Sequence, residues 1–318
     1  VKTTRKNMIA NVSVIAAVCV FGSVGLTGCA TASGAAGDRP MKIGVTVANS
    51  TNPFFQQESK TAESYGKSVG AEVLSQVANE DVQTQSNQID QFITAGVKFI
   101  VIDAADTDGV GPAVKRAVSA GIPVIGVDNQ SKNATVNITT DNKQAGEISC
   151  RSLADKLGGK GKIAILNGTP VSAVDDRVTG CKGILGQYPD IKIVADQRGE
   201  NSRDSALPIA TDILTANPDL DGFFAINDPS AVGVQLAAEQ KGASVVITSV
   251  DGASSATDAI AAGGLITATA AQDPAALMRQ AIDLGISIVN GKEPDQKVIL
   301  VPTELVDASN VAKYKPWG

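Results

Sequence analysis

From Met41 onward the chain alternates short runs rich in Val and Ile with longer stretches whose apolar residues recur at i, i+3 and i+4. That alternation builds βα units around parallel sheets. It places strands at 42–47, 72–77, 99–102, 124–127, 135–138, 162–166, 192–195, 222–225, 245–250, 266–269 and 298–301. Helices are expected at 53–69, 82–95, 110–120, 143–157, 178–188, 205–216, 229–241 and 274–290. So many strands exceed one ordinary doubly wound sheet, and the stretch 139–142 follows a strand without an obvious crossover, so it reads as a passage between two lobes.

The apolar runs stop at small polar clusters: 49–52, Asp103, Asp128-Asn129, Asn167, 198–201, Asn227-Asp228, Asp251 and Gln272. In an open parallel sheet the carboxyl ends of the strands face one rim, so these residues are expected to converge on a shared crevice. A polar crevice of that kind binds something small and hydrogen-bonding.

The first residues carry Lys2, Arg5 and Lys6 without an acid, then an apolar stretch from Val12 to Phe21, then Leu26-Thr27-Gly28-Cys29. This is the pattern of an export signal with a lipobox, in which Cys29 accepts the lipid. The apolar run is about half of the roughly 20 residues that a spanning helix needs. Removal of 1–28 would leave 290 residues and move the formal charge from −6 to −9. An acidic surface argues against nucleic acid. Residues 29–40 read as a lipidated tether of small residues. With Cys19 in the signal and Cys29 acylated, Cys150 and Cys181 remain in an oxidising compartment, which favours a disulfide. The same two residues also read as core thiols, since Cys181 shares a helical face with Val178 and Leu185.

Asn52 before Pro53 reads as a helix cap. Phe54 and Phe55 follow in a chain with only seven Phe, three Tyr and one Trp. Both as core and as aromatic faces for the C–H surface of a sugar ring they make chemical sense. Two adjacent helical residues do not share one direction, so one of them is expected to face the crevice.

The run Val45-Thr46-Val47 to Asn52-Pro53-Phe54-Phe55, then Pro123 to Asp128, Asp176-Arg177 opening a helix, Ala225-Ile226-Asn227-Asp228, Val250-Asp251-Gly252 and Ala271-Gln272 resembles the ribose-binding proteins of bacterial ABC importers. These are type I periplasmic binding proteins. The resemblance runs from about Met41 to Leu305 in order and spacing. It implies an α/β fold of two Rossmann-like lobes, each a parallel sheet flanked by helices, joined by a three-crossing hinge. Residues 41–142 with 274–301 would form the first lobe and 143–273 with 302–318 the second. It also implies a neutral monosaccharide held by Asn52, Phe54, Phe55, Asp128, Arg177, Asn227, Asp251 and Gln272, with Asn129 and Asn201 facing the same cleft. Asp accepts hydroxyl protons, Arg donates a rigid fork, and Asn or Gln does both.

Two positions depart from the pattern: Asn129 stands where the ribose proteins carry Arg, and Asn201 where they carry a third aromatic. Asp128, Asp251 and Arg177 together carry one net negative charge, which disfavours amino acids and sugar acids and leaves pentoses, hexoses such as fructose, and polyols. The implied partners are the permease and ATPase subunits of an importer, with a chemoreceptor as an alternative, around an extracytoplasmic, lipid-anchored monomer without cofactor. Asp228 reads as a helix cap, Asp251-Gly252 also reads as a turn, and Arg177 also reads as a surface ion pair with Asp175 or Asp176. Acid pairs such as Asp103 with Asp106, or Asp175 with Asp176, keep a glycoside-acting enzyme open. The chain has no His, which excludes His triads and His metal sites, and has neither a P-loop nor a G-x-G-x-x-G fingerprint. A sugar-responsive repressor would need a DNA-binding head where the export signal stands.

Overall fold

The computed structural model describes residues 40–318. The expected export segment, Cys29 and the expected tether up to residue 39 lie outside the described residues. The first elements are β1 (Met41–Val47), α1 (Pro53–Ser68), β2 (Ala71–Val77), α2 (Val82–Ala95), β3 (Phe99–Ile102), α3 (Gly111–Ser119), β4 (Val124–Val127) and β5 (Val136–Thr140). Next come α4 (Asn142–Lys156), β6 (Lys160–Asn167), α5 (Ser172–Leu185), β7 (Asp190–Arg198), α6 (Arg203–Ala216), β8 (Gly222–Ala225), α7 (Asp228–Lys241) and β9 (Val246–Asp251). The chain ends with α8 (Ser254–Ala261), β10 (Ile266–Ala271), α9 (Pro274–Val289), β11 (Val298–Val301) and β12 (Glu304–Asp307).

Two six-stranded sheets result, in the orders β11-β5-β4-β3-β1-β2 and β12-β10-β9-β8-β6-β7. The first is parallel throughout. In the second only β12 runs antiparallel, against β10. Passing from β5 to α4, from β10 to α9 and from β11 to β12, the chain moves between the sheets three times. This is the two-lobed α/β architecture expected from the sequence.

Parallel strands covered on both faces need apolar side chains on both. All four residues of β3 are fully buried, with Ile100 and Ile102 packing beside Ile89, Phe92 and Val114 while Phe99 and Val101 pack beside Leu277, Met278 and Ile282. The second sheet repeats the arrangement: Ile163, Ile165 and Phe224 face α4 and α5, and Ala164, Leu166 and Phe223 face α6 and α7. No described helix is long and apolar enough to cross a membrane.

Three elements differ from the sequence reading. Helix α5 begins at Ser172, six residues earlier than expected, so Arg177 sits in its second turn and does not open it. Its first residues, Ser172 to Asp176, lack a strong apolar period, and Val171 in front of them is no capping residue. Helix α8 and strand β12 are short, eight and four residues, and too brief to show a period.

Candidate functional site

All ten cleft residues named from the sequence line one cavity between the lobes. Asn52, Phe54, Phe55, Asp128 and Asn129 come from the first lobe, and Arg177, Asn201, Asn227, Asp251 and Gln272 from the second. Val171, Ala173, Val174 and Ile226 complete the wall and were not expected, since apolar residues after strand ends read as core.

On the first-lobe side, the Asn52 Oδ1 accepts from the Phe54 N–H at 2.9 Å and caps α1. Phe54 and Phe55 meet edge to face with centroids 5.6 Å apart. Both line the cavity and both belong to the first lobe's apolar core, so the expectation that two adjacent helical aromatics cannot share one core is corrected. Their rings sit at the rim between core and cleft. Asp128 follows β4 with φ +57°, a left-handed conformation that turns its side chain off the strand. Its Oδ1 is buried and has no protein donor.

The second-lobe groups are locked to one another. Arg177 donates from Nε to Asn142 Oδ1 at 2.8 Å and from Nη1 to the Ile226 carbonyl at 2.9 Å, and lies 3.5 Å from Asp251 Oδ1. It is buried and not engaged in the surface pairing that the sequence left open; Asp175 pairs with Arg198 instead. Gln272 donates to Asp251 Oδ1 at 2.8 Å and accepts from Thr140 Oγ1 at 2.7 Å. Asn227 is the cap of α7, accepting from the Ser230 N–H and donating to the Asn201 carbonyl. Asp228, expected as that cap, is instead buried beneath it, accepting from Ser249 Oγ, Thr269 Oγ1 and the Ala253 N–H. Asn201 is at φ +53° and Asp251 at φ +141°. Three non-glycine residues of one cavity thus hold strained backbone, as binding sites do when surrounding bonds over-determine them.

Arg177 is aimed by the contact between α4 and α5. A Cβ on Gly146 would overlap the Arg177 carbonyl, and one on Gly180 would overlap the Lys143 carbonyl, so both helices use glycine to approach backbone to backbone. Cys150 and Cys181 join the same pair by a disulfide, with Cα atoms 5.0 Å apart. Gly146→Ala is expected to force the helices apart, with a loss of about 1–3 kcal/mol read as a lower denaturation midpoint and as weaker ligand binding through Arg177.

Behind the first-lobe wall lies an acid cluster. Glu58 and Asp103 are fully buried, and neither Glu58 oxygen nor Asp103 Oδ2 has a donor partner. Burial, reinforced by neighbouring carboxyls, pushes both well above the ordinary carboxylate range. Glu58 shares the buried stripe of α1 with Phe54, Phe55, Thr61 and Ala62, a periodic signal visible in the sequence. Asp103 accepts from Asn129 Nδ2 at 2.9 Å, whereas Asp106 closes a turn by accepting from the N–H groups of Asp108 and Gly109. Burial pushes Asp128 up to about 6 against the pull of Arg177, and pushes Asp251 up to about 8 against Arg177 and Gln272. Among the described residues no acid or Cys cluster is placed to hold a metal ion.

Trp317 is a further contributor missed from the sequence. Its ring packs edge to face on Phe54, centroids 5.6 Å apart, while its Nε1 donates to the Gln272 carbonyl at 2.7 Å and the Asp251 carbonyl at 3.2 Å. One side chain therefore braces the backbone of two second-lobe residues and an aromatic of the first. Being the single Trp of the chain was the available signal.

Known proteins share this architecture. The xylitol-binding protein of Mycolicibacterium smegmatis is 31% identical over 96% of this chain and 88% of its own length. The ribose import binding protein of Bacillus subtilis is 31% identical over 83% of this chain and 86% of its own. Among solved structures, an ABC transporter solute binding protein from Mycobacterium smegmatis with bound glycerol superposes with a TM-score of 0.84 at 31% identity, covering 88% of this chain and 99% of that one. One from Actinobacillus succinogenes with bound D-allose superposes at 0.81 and 29% identity, covering 86% and 100%. The family model described as periplasmic binding protein domain matches residues 43–293, and on that span this chain belongs to the periplasmic binding protein family.

Proposed function

We propose that the protein captures one neutral monosaccharide or polyol between its lobes and delivers it to the permease and ATPase subunits of an ABC importer. The observation that carries this reading is the convergence of ten mostly polar side chains from both lobes on one cavity, with two carboxyls set against a single guanidinium. Hydroxyls both donate and accept, so they match a wall of carboxylate, amide and guanidinium groups. The faces of Phe54 and Phe55 suit the C–H side of such a molecule. An anionic solute would face an excess of acid and lose its hydration without a matching partner. The relatives' printed ligands, xylitol, ribose, glycerol and D-allose, are all neutral and hydroxyl-rich.

A specific feature favours a polyol or an unusual sugar over ribose itself. Asn129 spends its amide on Asp103 and on the Ala173 N–H, and Asn201 spends its on Thr169. Neither supplies the fork or the ring found in the ribose-binding pattern. The protein is read as a binder and not an enzyme, because Asp251 in the cavity is bound to Gln272 and set against Arg177, and the relatives it matches are binding proteins. Lipid attachment at Cys29, placement outside the cytoplasm and a monomeric state belong to the same proposal.

Thermal-shift measurements over neutral monosaccharides and polyols test it, since a ligand at a thousand times its Kd stabilises by about 4 kcal/mol. A shift produced only by amino acids or nucleotides would overturn it. The pH dependence is a second check. Hydroxyl donors favour ionised Asp128 and Asp251, whose values near 6 and 8 mean that binding expels protons below pH 8. Affinity is therefore expected to fall at least tenfold from pH 8 to pH 5, measured by calorimetry. The ligand-free protein should behave oppositely. Its carboxyls bind protons more tightly folded than unfolded, so their contribution is present at low pH and is lost as pH rises through the folded values.

A further inference from the structure

The amino end of α5 has no cap of its own. Val171 occupies the cap position and supplies no side-chain acceptor, so the first N–H groups of the helix need partners from elsewhere. They find them in the other lobe. The Ser172 N–H donates to Thr107 Oγ1 at 3.1 Å, and the Ala173 N–H donates to Asn129 Oδ1 at 3.3 Å. A third bond runs back, from the Gln130 N–H to Ser172 Oγ at 2.8 Å.

These acceptors are themselves held in place. Asn129 is oriented by its bond to Asp103, and the Thr107 carbonyl accepts from the Lys132 N–H at 3.0 Å. Thr107 and Ser172 do not line the cavity. Their bonds join the lobes without any solute, and they can exist only while the lobes are together. Five residues further along the same helix stands Arg177.

We infer that Thr107 and Asn129 cap α5 across the cleft, forming a latch that sets the balance between closed and open lobes and seats Arg177 in the closed form. The inference rests on the proposed reading that the lobes open and close around a solute. Thr107 and Ser172 are then positioning residues. Each such bond shifts the balance by about 2- to 12-fold, the net worth of a protein hydrogen bond that water replaces on opening.

The test is a pulsed spin-label distance measurement between nitroxides at the exposed positions Lys115→Cys in α3 and Lys241→Cys in α7, without solute and with the neutral solute giving the largest thermal shift. Two distance populations are expected, with the shorter enriched by solute. Thr107→Val and Ser172→Ala should each move population toward the longer distance by about 2- to 12-fold, and Thr107→Ser, which keeps the acceptor oxygen, should restore it. Ser172→Ala removes only the half-buried hydroxyl that accepts from the Gln130 N–H, so it reports even if Thr107→Val folds poorly. Two populations that neither variant moves would overturn the latch alone. A single distance unmoved by every solute would overturn the opening of the lobes, and the latch with it.

Discussion

Arg177→Met is expected to abolish ligand binding and to lower stability by about 3–5 kcal/mol, the range for breaking a buried ion pair from one side. Among the described residues Arg177 is the one buried cation, set against the buried acids Glu58, Asp103, Asp128, Asp228 and Asp251. Methionine fills comparable space, so the loss reports charge and hydrogen bonds more than volume. Without the guanidinium, Asn142 Oδ1 and the Ile226 carbonyl lose their donor, and Asp251 keeps only Gln272 and the Asp228 N–H. Asp128 and Asp251 should then rise further and take up protons more readily. Their protonation relieves the penalty, so the destabilisation should be larger at pH 8 than at pH 5. Urea midpoints at the two pH values read both the size and the sign.

Asp128→Asn separates binding from folding in the opposite direction. Asn tolerates the left-handed backbone at φ +57°, so the turn after β4 survives. What is lost is a charged acceptor whose Oδ1 has no protein donor and is open to a ligand hydroxyl. Charge-assisted hydrogen bonds contribute about 1.5–3 kcal/mol each, so affinity should fall about tenfold to a hundredfold or more. Stability at pH 8 should rise, because burial raises this acid from 3.8 to about 6 and ionising it in the folded state carries a cost. That cost is on the order of 3 kcal/mol, and the gain should vanish near pH 4, where folded Asp128 is already protonated. Asp128→Ala should lose the same affinity with a smaller stability gain, since a Cβ without a polar group is strained at that φ. Stability held back by a binding residue is what a site selected for function looks like.

The convergence of Asn52, Asp128, Asn227, Asp251 and Gln272 was legible because parallel strands deliver their carboxyl ends to one rim, a consequence of chain direction and not of detail. The lobes were legible in the same way, since strand and helix periods are local. Contacts made across the chain were not. Glu58 and Asp103 come near each other only because α1 packs on β1 and β3 pairs with β1, and Trp317 reaches Phe54 only after the chain has crossed the hinge three times. The trans capping of α5 was hidden for a related reason. A helix start is recognised by its own cap, and here Val171 gives no sign that Thr107 and Asn129 supply the acceptors from the other lobe. Asn167 and Arg198 stop strands as the site residues do, yet they bond to Asp196, Asp175 and the Gly168 carbonyl outside the cavity. A polar strand end therefore does not suffice for membership of the cleft.

A crystal structure of the protein grown with its strongest neutral ligand bears most directly on whether both lobes close on one uncharged guest. The expected complex has ligand hydroxyls within about 2.6–3.2 Å of Asp128 Oδ1, Asp251 and Arg177, with a ring or carbon chain against Phe54 or Phe55. A ligand seated instead in the hinge-side hollow lined by Thr140, Thr303 and Tyr314, with Asp128 Oδ1 still unpartnered, would contradict the account.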